Sequence, residues 1–135
     1  MELTTADNVV QRLWEKWAFI ASAGVITCQF RNDIGAIMEA GGETYIRDAI
    51  AETEGVAGAA GDPIRPTGHE QSVQILIAPG SSFTSSLYRD LKKGRAVEAE
   101  HILGTLAVRA DAPNVAVPLL KLALVQIRAH HVRVR

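Results

Sequence analysis

The chain has 135 residues, one domain's worth, and is long enough to bury a substantial core without disulfides. Its formal net charge of -1, with 21% charged residues, excludes the basic footprint of a nucleic-acid binder and the acidic bias of a disordered tail. The single cysteine, Cys28, has no partner for an intrachain disulfide and no basic-then-apolar leader opens the sequence, which together point to a reducing, cytoplasmic setting.

In chain order, apolar residues at Val9, Val10, Leu13, Trp17 and Ile20, followed by Gly24, keep the i, i+3, i+4, i+7 spacing of a helix, with Asp7 or Asn8 as its N-cap. Past Trp17 nearly every residue is apolar or small. This half of the helix is expected to be buried on all sides, with Ala21, Ala23 and Gly24 permitting close approach of neighbours. The apolar run from Trp17 to Cys28 is shorter than the roughly 20 residues a membrane span requires. A short turn or helix over Ile34 to Met38 leads to the break at Gly41-Gly42. A second long helix then places Tyr45, Ile46, Ala49, Ile50, Thr53, Val56, Ala57 and Ala60 on one face and stops at Gly61-Asp62-Pro63. After a loop, Thr67 is expected to cap a helix through His69 to Ala78, closed by Pro79-Gly80.

Two helices follow, from Ser82 to Lys93 and from Ala96 to about Ala110. Gly94, just past Lys92 and Lys93, is a stop signal with cations at the negative end of the helix dipole. Pro118 suits the start of a last helix, Val117 to about His131, with apolar residues on nearly every side. No period-2 run, hairpin signal or internal repeat occurs. The fold class is therefore all-α, a compact bundle of about six helices in a single domain.

Three residues stand out as candidates for chemistry, each with a plainer structural reading beside it. Lys16 is flanked by Trp14 and Trp17, which would partly desolvate its ammonium and ready it to give up a proton; the plainer reading is a lysine that reaches from a core helix to water. Glu98 falls in the first turn of its helix, where a carboxylate complements the dipole for roughly 0.3 to 1 kcal/mol. Ser86 lies near a helix start, where a hydroxyl and free N–H groups can hold a small anion, but it is one of several serines in the run from Ser81 to Ser86.

Other patterns carry less. Glu98 and His101 form a single E-x-x-H without the second copy a di-iron bundle needs, so no metal is expected. Gly55, Gly58 and Gly61 are not the dinucleotide fingerprint and read as packing or cap glycines. The basic stretch from Arg128 to Arg135 reads as a solvated helix end rather than a nucleic-acid site.

The pattern Ser-Ser-x-x-x-Asp-Leu-x-x-Gly-x-x-x-Glu-x-x-x-x-x-Gly, matched by Ser85, Ser86, Asp90, Leu91, Gly94, Glu98 and Gly104, resembles the C-terminal domain of the ketopantoate reductase (2-dehydropantoate 2-reductase) family. The resemblance runs from Leu13-Trp14-Glu15-Lys16 to Val117-Pro118-Leu119-Leu120. It implies the 6-phosphogluconate-dehydrogenase-like helical fold of that domain and an NADPH-dependent reduction of a 2-oxo acid in pantothenate biosynthesis. By the same resemblance Lys16 is the catalytic lysine, general acid to the keto oxygen. Glu98 orients substrate or pairs with the lysine, and Ser86 donates to the substrate carboxylate. Asp90 fits the pattern, with a structural role favoured.

Reductases of this family place a Rossmann domain for NADPH ahead of the helical one. The present sequence has no phosphate-cradling loop, so the Rossmann domain is expected to be absent from it and the chain alone to bind no cofactor. The family also carries asparagines four and eight residues after the lysine, where this sequence has Ile20 and Gly24, which opens the substrate to other 2-oxo acids. A homodimer is expected from the first and last helices, apolar nearly all round. The rival reading is a helical dimerisation or interaction module that kept the fold without the chemistry.

Overall fold

A computed structural model describes residues 5–95 and 97–134, and for residues 5–8, 97 and 131–134 it describes the backbone alone. Among the described residues there are seven helices and no strand: α1 (Thr5–Phe30), α2 (Ile34–Glu39), α3 (Glu43–Ala59), α4 (Pro66–Leu76), α5 (Ser86–Lys92), α6 (Val97–Asp111) and α7 (Pro118–Val134). The seventh, beyond the expected six or so, is the six-residue α2, whose first turn is capped by the side chain of Asp33 through Ala36 N–H at 2.8 Å.

All other helices but the short α2 pack substantially on α1, which runs through the bundle as its axis. Residues Ala21 through Cys28 are buried without interruption, as the apolar run predicts. Two hydroxyls inside this run are satisfied by helix-to-helix pairs. Ser22 Oγ meets Thr53 Oγ1 of α3 at 2.7 Å, and Thr27 Oγ1 meets Ser85 Oγ at 2.7 Å. Each also donates locally, Ser22 to the Ala18 carbonyl and Thr27 to the Ala23 carbonyl, so neither leaves an orphaned polar atom in the core. Burial pushes the Cys28 thiol up to about 12, which makes it an inert core residue.

Helix ends differ from the sequence expectations where long-range contacts intervene. The first helix begins at Thr5, so Asp7 and Asn8 lie within it rather than capping it. Pro66 opens α4, its fixed φ suited to the first helical position, with Arg65 as the extended residue before it. Thr67 is consequently inside the first turn. The helix predicted from Ser82 starts four residues later, at Ser86. Its true cap is Ser85, whose Oγ accepts from Tyr88 N–H at 3.0 Å. The preceding segment is drawn off by α2: Ile34 N–H donates to Phe83 O at 3.0 Å and Gly35 N–H to Ser81 O at 2.7 Å, satisfying donors that a helix start leaves unpaired.

The stop at Gly94 forms as expected. Gly94 adopts φ 76°, its N–H donates to Leu91 O at 3.0 Å, and Arg95 N–H donates to Asp90 O at 2.8 Å, the Schellman arrangement that ends α5. The expected start of the next helix at Ala96 lies outside the described residues. In the basic C-terminal stretch, Arg128 pairs with Glu100 through Nε at 2.9 Å, and the side chains from residue 131 onward lie outside the described residues. No described helix is long and apolar enough to cross a membrane.

Candidate active site

Each residue turns an α-helix by about 100°, so the first half of α1 presents different side chains to different neighbours. Trp14 and Trp17 face α6. Their rings stack at 4.9 Å between centroids, the Trp17 indole N–H donates to Ile102 O at 3.1 Å, and the guanidinium of Arg109 lies over the Trp14 ring at 5.8 Å. Gly24 and Thr27 face α5. Arg12, Glu15, Lys16 and Phe19 face α4, and with residues of that helix they line a cavity of about 450 Å³.

Lys16 stands at the mouth of this cavity with its side chain exposed. The desolvation expected from its tryptophan neighbours does not occur, because both rings are committed to each other and to α6 and neither covers the lysine. Its other neighbour, Glu15, is committed too. Both carboxylate oxygens are taken by Arg65, from Nε at 2.8 Å and Nη2 at 2.9 Å, with the Arg65 backbone N–H adding a third bond at 3.2 Å. Those Arg65 side-chain bonds hold the Glu15 carboxyl below its ordinary range, against the opposing effect of burial. Among the described residues no carboxylate pairs with Lys16.

Ser86 is the first residue of α5 and is exposed, whereas its neighbour Ser85 is buried and uses its hydroxyl on the cap and on Thr27. The next residue, Leu87, presses on Gly24 so closely that a Cβ there would lie 2.5 Å from Leu87 Cδ1. Ser86 therefore sits near the level of Gly24, and Lys16 lies two turns away, about 12 Å along the axis. Phe83, in the segment leading into α5, bridges part of that span by packing on Phe19 with centroids 6.2 Å apart.

Glu98, exposed in the first turn of α6, is one turn before Ile102, the acceptor of the Trp17 indole. The helices carrying Ser86 and Glu98 thus both dock on α1, the helix that carries Lys16. No hydrogen bond or ion pair among the described residues joins the three, and the cavity at Lys16 contains neither Ser86 nor Glu98. What sequence reasoning missed is the rest of the lining: Arg12 on the same wall as Lys16, and Arg65, Gln71 and Ser72 on the other. Only the i, i+4 spacing of Arg12 and Lys16 was there to signal it, since Arg65 comes from fifty residues away in sequence. No cluster of three or more His, Cys, Asp and Glu side chains occurs among the described residues, and the Glu98–His101 pair gains no further ligand.

Comparison with known proteins gives these positions a context. The family described as ketopantoate reductase PanE/ApbA C terminal matches residues 8–131. An uncharacterized oxidoreductase, YkpB, of Bacillus subtilis (strain 168) is 30% identical over 122 residues, covering 89% of this chain and 40% of the relative. A 2-dehydropantoate 2-reductase of Halobacterium salinarum is 29% identical over 122 residues, covering 90% of this chain and 40% of the relative. The chain thus spans about 40% of the length of these curated relatives. In fold it is similar to a 2-dehydropantoate 2-reductase from Methylococcus capsulatus, with TM-score 0.76 and 22% identity over 93% of this chain and 43% of that one. It is likewise similar to a dimeric ketopantoate reductase from Staphylococcus aureus, with TM-score 0.78 and 21% identity over 93% of this chain and 44% of that one. With the family matched over nearly its whole length and its all-α fold shared with solved reductases, the chain belongs to the ketopantoate reductase C-terminal domain family of oxidoreductases.

Proposed function

We propose that this domain is the substrate-binding and proton-donating part of an NADPH-dependent reductase that converts a 2-oxo acid to the 2-hydroxy acid, the family reaction being 2-dehydropantoate to pantoate. The observation that carries the reading is the state of Lys16: an exposed cation at the mouth of a cavity, with its adjacent carboxylate held away by Arg65. In this role the lysine ammonium gives a proton to the keto oxygen as the carbonyl carbon accepts hydride, leaving a neutral amine. Ser86 donates a hydrogen bond to the substrate carboxylate from the start of α5, and Glu98 orients the substrate or the lysine from the start of α6.

The described residues do not fit a dinucleotide seat. No strand among them feeds a glycine loop and helix, the unit that cradles a pyrophosphate. Hydride is therefore assigned to NADPH on a separate Rossmann domain, and this chain's part is the proton and the grip on the acid.

Specificity is assigned to α1. Ile20 is half-buried and apolar, and Gly24 is roofed by Leu87, so this face offers the substrate tail no side-chain hydrogen-bond donor where the family carries two asparagines. A less hydroxylated 2-oxo acid suits it better than ketopantoate, since a site without polar partners leaves a buried substrate hydroxyl unpaired.

Self-association is part of the proposal. Leu122 and Val125 of α7 are 49% and 61% exposed, and Phe30 and Tyr45, which line one hollow with Leu122, meet as tilted rings 5.9 Å apart while remaining 42% and 50% exposed. Such a patch fits a homodimer interface. It equally fits the second reading, a helical interaction module without activity. The two are separated by measuring NADPH consumption with a panel of 2-oxo acids, using the chain joined to a Rossmann domain of its family. Turnover on at least one acid supports the reductase; none on any, with both domains folded, leaves the module.

A further inference from the structure

We infer that Trp17 is a positioning residue for the proposed reaction: its indole N–H, donated to the carbonyl of Ile102 at 3.1 Å, sets the register of α6 against α1 and so the level at which Glu98 stands. Neither helix needs this bond for its own sake. In an α-helix the Ile102 carbonyl already has the N–H four residues on as its partner, and its second lone pair takes the indole. Trp17 is half-buried and could have given its N–H to water. What the bond adds is a fixed point. The buried residues of α6, Ala99, Leu103 and Leu106, are apolar, and apolar burial has no direction. Among the described residues no other side-chain hydrogen bond joins α1 to α6.

The donor is itself held. Trp17 stacks on the buried Trp14 with centroids 4.9 Å apart, and the Arg109 guanidinium of α6 lies over the Trp14 ring at 5.8 Å. These contacts also give the direction of α6. Trp17 meets Ile102 and Trp14 meets Arg109, so the two helices run antiparallel. Glu98, four residues before Ile102, therefore stands about 6 Å along α6 from the indole contact, towards Ile20 and Gly24. Lys16, Ile20 and Gly24 form one i, i+4, i+8 stripe, and Ser86 sits near the level of Gly24. The register set at Trp17 thus puts Glu98 at about the level of Ile20, between those of Lys16 and Ser86. A slide of α6 by one residue moves Glu98 by about 1.5 Å, and a misplacement of about 1 Å can cost roughly 10²-fold in rate. The inference rests on the reading of Glu98 as the group that orients the substrate or the lysine, and adds the residue that places it.

The experiment is a double-mutant cycle in the chain joined to a Rossmann domain from a relative of its family. Values of kcat and KM are measured for Trp17→Phe, Glu98→Gln and the double variant, with NADPH and with ketopantoate and α-ketoisovalerate in turn. Phenylalanine keeps a stacking ring and removes the N–H. The expected result for Trp17→Phe is a fall in kcat of about fivefold or more, with KM changed by less than about twofold. No further fall is expected when Trp17→Phe is added to Glu98→Gln, because both changes act through the same carboxylate. Equal losses from Trp17→Phe in both backgrounds, or a parent kcat in Trp17→Phe where Glu98→Gln is slow, overturn the positioning role and leave Glu98 standing. A parent kcat in Glu98→Gln, or no turnover of either acid by the parent, removes the role of Glu98 and the inference with it. A measurement on the unmutated chain guards against a variant that fails to fold. Its Trp17 indole N–H should exchange with solvent about tenfold or more slowly than a free indole, and exchange at the free rate overturns the fixed point.

Discussion

The carboxylate of Glu52, in the middle of α3, accepts the backbone N–H of Leu120 at 3.0 Å, and its other oxygen accepts that of Leu119 at 3.0 Å. A side chain distant in sequence thereby caps the first turn of α7, where Pro118 supplies no donor of its own. Burial pushes this carboxyl above its ordinary range, although both backbone bonds work the other way. Glu52→Ala should destabilise the domain by about 1 to 2 kcal/mol, the usual scale of a lost cap, and lower the Tm by several degrees. Glu52→Gln, which retains one acceptor oxygen, should lose less. Equal Tm values for parent and Glu52→Ala would show that the cap contributes nothing.

Two glycines in helices should respond oppositely to alanine. At Gly24 the added methyl meets Leu87 Cδ1 at 2.5 Å inside the core, and overpacking costs about 1 to 3 kcal/mol, more than the roughly 1 kcal/mol gained in helix propensity. At Gly58, exposed on α3, a Cβ meets nothing within 4 Å, so Gly58→Ala should stabilise by about 0.5 to 1 kcal/mol. Urea melts of the two variants check both signs at once. The same packing means that asparagine at position 24 requires Leu87 to move, whereas Ile20→Asn meets only a half-buried site.

Glu15 gives the acid side of the stability curve a definite sign. Its folded pKa is lowered, first by the Arg65 side-chain bonds, so its contribution is present above the unfolded value near 4.5 and is lost as pH falls through the folded value. Chemical melts from pH 7 to pH 3 should show the parent losing more stability on acidification than Glu15→Gln. Parallel curves would place the pair's contribution elsewhere.

Local chemistry explains which parts of this fold were legible in the sequence. The apolar run after Trp17 and the Gly94 stop act within a few residues of themselves, and both appear as read. The start of α5 was not legible, since Ser81, Ser82, Thr84 and Ser85 offer equivalent caps. The choice is made by Ile34 and Gly35, which hold the segment through Phe83 and Ser81. The site divides in the same way. The spacing around Glu98 places it in a first turn, as read, and Ser86 heads its helix instead of lying one turn inside it, but the surroundings of Lys16 depend on which way Trp14, Trp17 and Glu15 turn. That is decided by Ile102 and Arg65, far away in the chain.

The exposed Leu122 and Val125 on α7 predict self-association. Sedimentation at tens of micromolar should show a dimer, and Leu122→Glu with Val125→Glu should convert it to a monomer without loss of helicity, because both side chains are already largely exposed. A clean monomer of the parent chain would remove the dimer from the account.

The proposed proton-donor role of Lys16 is tested most directly by the kcat of Lys16→Ala, in the chain joined to a Rossmann domain from a relative of its family and assayed on the best 2-oxo acid substrate. The lysine is exposed, so its removal should leave the helical circular dichroism unchanged. The account predicts a fall in kcat of about 10²-fold or more, the scale of a positioned general acid. A Lys16→Ala enzyme turning over at the parent rate would contradict it.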